Sequence, residues 1–275
     1  MSLLWHNRLY VALSPERISL IKLGRGLKPV LLAKHDEAIV PVGKQPSWQA
    51  GLGRLSELLD QPEWQKTEVN VVLSNRMVRF AVITFGAKLK NYAAQEAYAR
   101  HALTQTYGAV VEHWVLRIQH GRAGAPSLVS ALDQALLNGV QQACAAKQLK
   151  LNLVTPYLTP VFNRFQKMLN CDPAWLAIHE PGYSLLALLS GAEFVAINGV
   201  NHDQLDELPV MLDRENLVST LADPCKSVYL HAPFSKGQSN VFKTGYEFSK
   251  LDLAVPDSFP SQADGLYAMI MSEFL

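Results

Sequence analysis

Residues 176–197, LAIHEPGYSLLALLSGAEFVAI, place an acid and a glycine, Glu180 and Gly182, at a tip between two apolar runs. A carboxylate there can orient the water around a divalent metal, and a glycine lets backbone N–H groups approach a phosphate. The earlier run YVALSPERISLIKL carries Ser14-Pro15-Glu16 at the corresponding place. Its proline removes a backbone donor that a phosphate would use. Pro-Gly pairs also build turns without any ligand, so Gly182 is expected to serve the turn first.

Other residues with chemical potential are scattered. His101 falls on a stripe with Ala94, Ala97, Tyr98 and Ala102 and is expected to be packed, because no second residue stands at metal-ligand spacing. His179-Glu180 and His202-Asp203 are isolated pairs that make neither a zinc site nor a general-base arrangement by themselves. Cys144, Cys171 and Cys225 form no CxxC pair and no disulfide framework, which points to a reducing, cytoplasmic compartment. Neither GxxxxGK[ST] nor GxGxxG occurs.

The elements that would position these residues repeat. RLYVAL, RISLIKL and KPVLLAKHDEAIV read as three antiparallel strands with tight turns. A helix follows in SWQAGLGRLSELLDQ, with Ser47 as its expected cap, and EVNVVLS reads as a buried strand. Residues 76–122 are an excursion of strand, helix and strand, the helix capped by Asn91 and ended by Gly108, with seven Lys/Arg against two acids. Strand-helix alternation then continues through SLVSAL, residues 133–147, LKLNLV and YLTPVFNRFQKML, as parallel pairing with crossovers requires. From Trp175 the order restarts: WLAIHE, YSLLALLS and EFVAIN, then a helix near MLDRENLVSTLA and a strand SVYLHAP. Matching Ser14-Pro15 to Glu180-Pro181 gives a βββαβ repeat in which order and spacing, not identity, carry the signal.

With 275 residues the chain is long enough for two small domains or one bilobal one, and at 49% hydrophobic and 18% charged it has the composition of a folded globular protein. The amino terminus is a poor signal peptide, and no apolar run reaches the ~18 residues a membrane span needs. Any membrane role is therefore expected to be peripheral. The net charge of +1 is unevenly spread: residues 1–171 carry 20 Lys/Arg and 10 Asp/Glu, and residues 172–275 carry 5 and 14. Either this asymmetry orients the molecule toward a charged partner, or it records solvated faces that differ. Nucleic acid is not expected as a partner: Ala12 replaces the carboxylate that a ribonuclease H-like metal pair would need, and no RNA or DNA module is recognisable.

The segments VNVVLSNRMVRFAVITF, QEAYARHALTQTYG, SLVSALDQALLNGVQQACAAKQLKLNLVTPYLTPVFNRF and the terminal DGLYAMIMSEF resemble the PilM-type type IV pilus assembly proteins, the MshI-like pilus proteins and the cytoplasmic part of the type II secretion L protein. The resemblance implies an α/β, ribonuclease H-like/actin-like ATPase fold with duplicated βββαβα lobes and a small inserted α/β subdomain. It places a first lobe at 1–171 with the insert at about 76–122, and a second at 172–275 whose last helix returns to the first. In that fold the nucleotide sits between lobes: an Asp-x-Gly at each hairpin tip serves metal and phosphate, and a late Gly-Gly admits the adenosine. Here Ala12 stands for the first aspartate, Ser14 for its glycine and Ser19 for a nearby lysine; His231-Ala232-Pro233 replace the late glycines. The remnant cleft would comprise Ser14, Glu16, Glu180, Gly182, Ser184 and His231. The expected function is a non-catalytic cytoplasmic scaffold, peripheral to the inner membrane, binding a short cytoplasmic segment of a pilus or secretion assembly protein, with no cofactor. The alternative is a divergent ATPase or small-molecule kinase that binds ATP and magnesium weakly through Glu180.

Overall fold

The computed structural model describes all residues except 1–5, 27, 41–44, 87, 88, 90, 123, 124, 170, 171, 192, 203, 220, 222 and 236–244. Asp203 and Cys171 thus lie outside the described residues. The chain divides into two compact units. The first comprises Met1–Met77, Ala135–Arg164 and Leu253–Leu275; the second comprises Val78–Gln134 and Phe165–Asp252.

The first unit opens with β1 (Asn7–Leu13), β2 (Arg17–Leu23) and β3 (Leu31–Ala38), an antiparallel meander, followed by α1 (Gln49–Leu58) and β4 (Thr67–Leu73). β1 and β4 pair in parallel, which no tight turn permits, so α1 makes the crossover. Both strands are nearly continuous aliphatic runs because both of their faces are covered, and Leu9, Val11, Leu13, Val69 and Val71 are fully buried. Trp48, not Ser47, occupies the N-cap of α1 and makes no side-chain cap bond.

The chain then builds a three-stranded antiparallel sheet in the second unit from β5 (Val78–Ile83), β6 (Trp114–Gln119) and β7 (Ser127–Asp133), in the order β5-β7-β6. Helix α2 (Tyr92–Tyr107) covers one face, burying Ala99 and Leu103 against Val129, Ala131 and Leu116. The Asn91 side chain caps α2 by accepting the Ala94 N–H at 2.8 Å, and Gly108 ends it with φ +74°. The buried face of α2 is turned from the expected stripe: His101 is exposed, because the helix buries the row through Ala99 and Leu103 instead.

Returning to the first unit, α3 (Gln134–Ala146) and α4 (Leu158–Phe165) flank β8 (Lys150–Pro156), which adds to β4 in parallel. The second unit continues with β9 (Ala174–Glu180), β10 (Tyr183–Ser190), β11 (Glu193–Asn201), α5 (Leu208–Val218), β12 (Ser227–His231) and β13 (Glu247–Lys250). The chain ends in α6 (Tyr267–Phe274), which packs on β1, β2 and β4. The two large sheets have one plan. The first runs β3-β2-β1-β4-β8 and the second β11-β10-β9-β12-β13, each a meander extended by two parallel strands. The repeat read from element order is therefore a repeat of strand pairing.

Candidate functional site

The shared plan sets the two tips in register. In the first, Ala12 faces Ser19 and Leu13 faces Ile18, and the Ser14 N–H donates to the Arg17 carbonyl at 2.9 Å across Pro15-Glu16. In the second, Ile178 faces Leu185, His179 faces Ser184 and Glu180 faces Tyr183 across Pro181-Gly182. Both are two-residue loops that begin with proline. Ser14 is thus the counterpart of Glu180, Glu16 of Gly182, and Ala12 of Ile178. The parallel neighbours agree on this level, since Ala12 lies beside Val72 of β4 and Ile178 beside His231 of β12.

At the first tip the polar groups are engaged within the chain. The Ser14 Oγ also donates to the Arg17 carbonyl, at 3.3 Å. Glu16 is exposed and pairs with Arg76 at 2.7 Å, while its carbonyl accepts the Ile39 N–H. Ser19, where the resemblance implies a lysine, is fully buried; its hydroxyl donates to Asp36 and accepts the Leu266 N–H at 2.9 Å. The Arg17 guanidinium grips the same carboxylate. Burial alone would raise the Asp36 pKa, but the Arg17 and Ser19 hydrogen bonds and the Leu266 N–H outweigh it and hold the group below the usual carboxylate range. This junction fastens the chain's last segment to β2 and β3. Its sequence signal is faint: Ser19 within the apolar run of β2, opposite Asp36 in the polar stretch 34–37 of β3.

At the second tip Glu180 is buried, 2% exposed, and Gly182 has φ +73°. A Cβ on Gly182 would meet only the His202 carbonyl, at 3.9 Å, so the backbone conformation and not crowding calls for glycine. The Gly182 carbonyl accepts the His202 N–H at 3.2 Å, closing the tip onto the end of β11. Ser184, fully buried, lies 2.8 Å from His202 Nε2 and 3.3 Å from His179 Nδ1, and His202 Nδ1 lies 3.0 Å from the Gln204 carbonyl. A carbonyl only accepts, so His202 donates from Nδ1, and in the neutral ring its Nε2 accepts the Ser184 hydroxyl. The two imidazoles stack with centroids 5.1 Å apart. Burial, helped by His202, lowers the His179 pKa to about 4. A serine donating to an oriented histidine is a nucleophile geometry in an open site; here complete burial withdraws the hydroxyl from any substrate.

His231 belongs to neither tip. It is fully buried in β12, its Nδ1 is 2.7 Å from the Leu251 carbonyl, and burial lowers its pKa to about 4. The expected residues therefore fall into three places: Ser14 with Glu16, Glu180 with Gly182 and Ser184, and His231 on the strand beside β9. Among the described residues, no group of three or more His, Cys, Asp or Glu is placed to hold a metal ion. Neither Ala12 nor Ile178 has a side-chain oxygen with which to orient metal-bound water.

Solved structures share this architecture. The chain superposes on the PilM-PilN type IV pilus biogenesis complex with a TM-score of 0.62 at 13% identity, covering 89% of this chain and 88% of that one. It also matches the cytoplasmic domain of EpsL, an inner-membrane component of the type II secretion system of Vibrio cholerae, with a TM-score of 0.55 at 14% identity, over 97% and 93% of the two chains. A third match is a Bacteroides thetaiotaomicron protein with actin-like ATPase fold and unknown function, TM-score 0.55 at 9% identity, over 86% and 87%. The chain has the actin-like ATPase fold. No family model and no curated protein matches the sequence. Within this fold the two meanders are the repeated element.

Proposed function

We propose that this chain is a non-catalytic actin-like scaffold, cytoplasmic and peripheral to the inner membrane, that binds a short segment of a membrane protein in a pilus or type II secretion-like assembly. The observation that carries the non-catalytic half is the register of the hairpins. If Ala12 occupies the position of the first metal-organising acid, its counterpart is Ile178, and both are fully buried aliphatic residues. Glu180 sits two residues further on, at the level of Ser14. The first tip's N–H is spent on Arg17, and Ser19 is spent on Asp36 and Leu266. These residues do not fit a magnesium nucleotide. Support for the assembly half is the likeness to PilM in its complex with PilN and to the EpsL cytoplasmic domain. No helix among the described residues is long and apolar enough to cross a membrane, so contact with a membrane protein would be by docking.

Calorimetric titration with ATP and magnesium tests the first half: no saturable heat is expected up to millimolar nucleotide. Micromolar affinity that disappears in both Glu180→Ala and Gly182→Trp would overturn this half in favour of the competing reading, a divergent ATPase or kinase, which the buried acid and positive-φ glycine at one tip favour; the same affinity with a flat hydrolysis assay would mean nucleotide held without turnover. The second half is tested by titrating labelled peptides of the short cytoplasmic segments of membrane proteins encoded beside this chain. One of them should bind with a Kd on the order of micromolar; failure of all of them would remove the scaffold reading.

A further inference from the structure

We propose that the outer edge of β3 pairs with the same edge of a second copy of this chain, antiparallel, about a two-fold axis through His35. β3 ends its sheet: β2 lies on one side, and among the described residues no strand lies on the other. The Ile39 N–H donates to the Glu16 carbonyl, so by the two-residue alternation of an antiparallel pair Glu37 and His35 also turn their backbone groups toward β2. Lys34, Asp36 and Ala38 consequently turn theirs outward. The irregularity in the β2 pairing falls at Lys22/Leu23, toward the Leu31 end, and leaves the stretch around His35 regular.

The side chains of this edge are also unusual. Val40, Leu32 and Val30 are 79%, 52% and 55% exposed, the most exposed large aliphatic residues among those described in the first unit, and all three belong to β3 or its flanks. With the axis at His35, Lys34 of one copy falls opposite Asp36 of the other, and Leu32 opposite Ala38. Each charged pair and each apolar pair occurs twice. Sliding the pairing by two residues in one direction sets Asp36 against Asp36; sliding it in the other sets Lys34 against Lys34. Like charges directly opposed destabilise a strand pair, so the charges select the register centred on His35. A lysine in the middle of an edge strand guards it against mismatched neighbours. Set against Asp36, the same lysine fixes the match.

Sedimentation equilibrium of the full chain across roughly 1 to 100 μM should show a reversible monomer-dimer equilibrium. Lys34→Glu, an exposed substitution that places like charges at both symmetric positions, should weaken the dimer at least about tenfold. His35→Cys puts two thiols face to face in a non-hydrogen-bonded pair and should give a disulfide-linked dimer under mild oxidation that leaves the wild-type chain unlinked. A chain that stays monomeric over the whole range overturns the proposal. So does a dimer whose affinity Lys34→Glu leaves unchanged and which His35→Cys does not crosslink.

Discussion

Gly182 and Gly265 both adopt positive φ, and the consequences of replacing them differ. At Gly182 the surroundings are open, so Gly182→Ala should cost only the backbone preference, about 1 kcal/mol. A Cβ on Gly265 would collide with the Asp36 carboxylate. Gly265→Ala should therefore cost about 2 to 4 kcal/mol and disturb the junction of Ser19, Asp36 and Leu266. Urea denaturation of the two variants checks the contrast. The buried histidines make a prediction about pH. His179 and His231 have folded pKa values of about 4, below the usual 6.5, so below pH 6.5 the unfolded chain takes up protons that the folded chain refuses. Their stability contribution is complete above about 6.5 and is lost as pH falls towards 4. At pH 5 the two together should lower stability by about 4 kcal/mol relative to pH 7, and His231→Gln should remove about half of that pH dependence. The shared proline sets Glu180 level with Ser14 in the sequence, and backbone pairing, with Leu13 facing Ile18 and His179 facing Ser184, agrees. What spacing does not reveal is that Glu180 is buried while Glu16 at the other tip is exposed and paired with Arg76.

At the scale of elements, apolar runs and turn residues made most of the repeat readable, because buried parallel strands need continuous aliphatic stretches and hairpins need Pro, Gly or Ser at their tips. Two features escaped. The face of α2 was not legible, since alanines dominate that helix and His101 lies among them; burial is set by which row meets β6 and β7. β13 is four residues, GluPheSerLys, with little apolar content, and it is a strand because it extends the β12 edge. The second unit holds this short strand and α5 together through Asn216. Its side-chain oxygen accepts from Trp175 Nε1 and the Cys225 N–H, and its amide donates to the Cys225 carbonyl and the Tyr246 hydroxyl, at 3.0 to 3.2 Å. The Tyr246 hydroxyl in turn donates to Asp213 at 2.7 Å. Asn216→Ala strands several of these groups at once and should cost about 2 to 4 kcal/mol by thermal or urea denaturation. Tyr246→Phe keeps the ring and should cost about 1 kcal/mol.

The charge pattern shows how chain order and spatial units diverge over the whole molecule. The halves of the sequence differ by nearly twenty charges, yet the first unit carries 13 Lys/Arg with 10 Asp/Glu and the second 12 with 14. Two crossings produce this levelling. The basic stretch 78–134 belongs with the acidic second unit, and the acidic stretch 253–275 belongs with the first. That last stretch is bound by more than charge. Ala268, Met269, Ile270 and Met271 are fully buried, α6 lies on β1, β2 and β4, and the rings of Tyr10 and Phe274 meet with centroids 5.0 Å apart. Ile270→Asp places a carboxylate in that apolar contact and should unlatch α6 at a cost of several kcal/mol. Hydrogen exchange locates the effect: amides of β1, β2 and β4 should lose protection in the variant, while those of β9, β10 and β12 keep theirs. Equal loss across both sets would mean that the two units open as one cooperative body, and that the terminal segment cannot be assigned to the first alone.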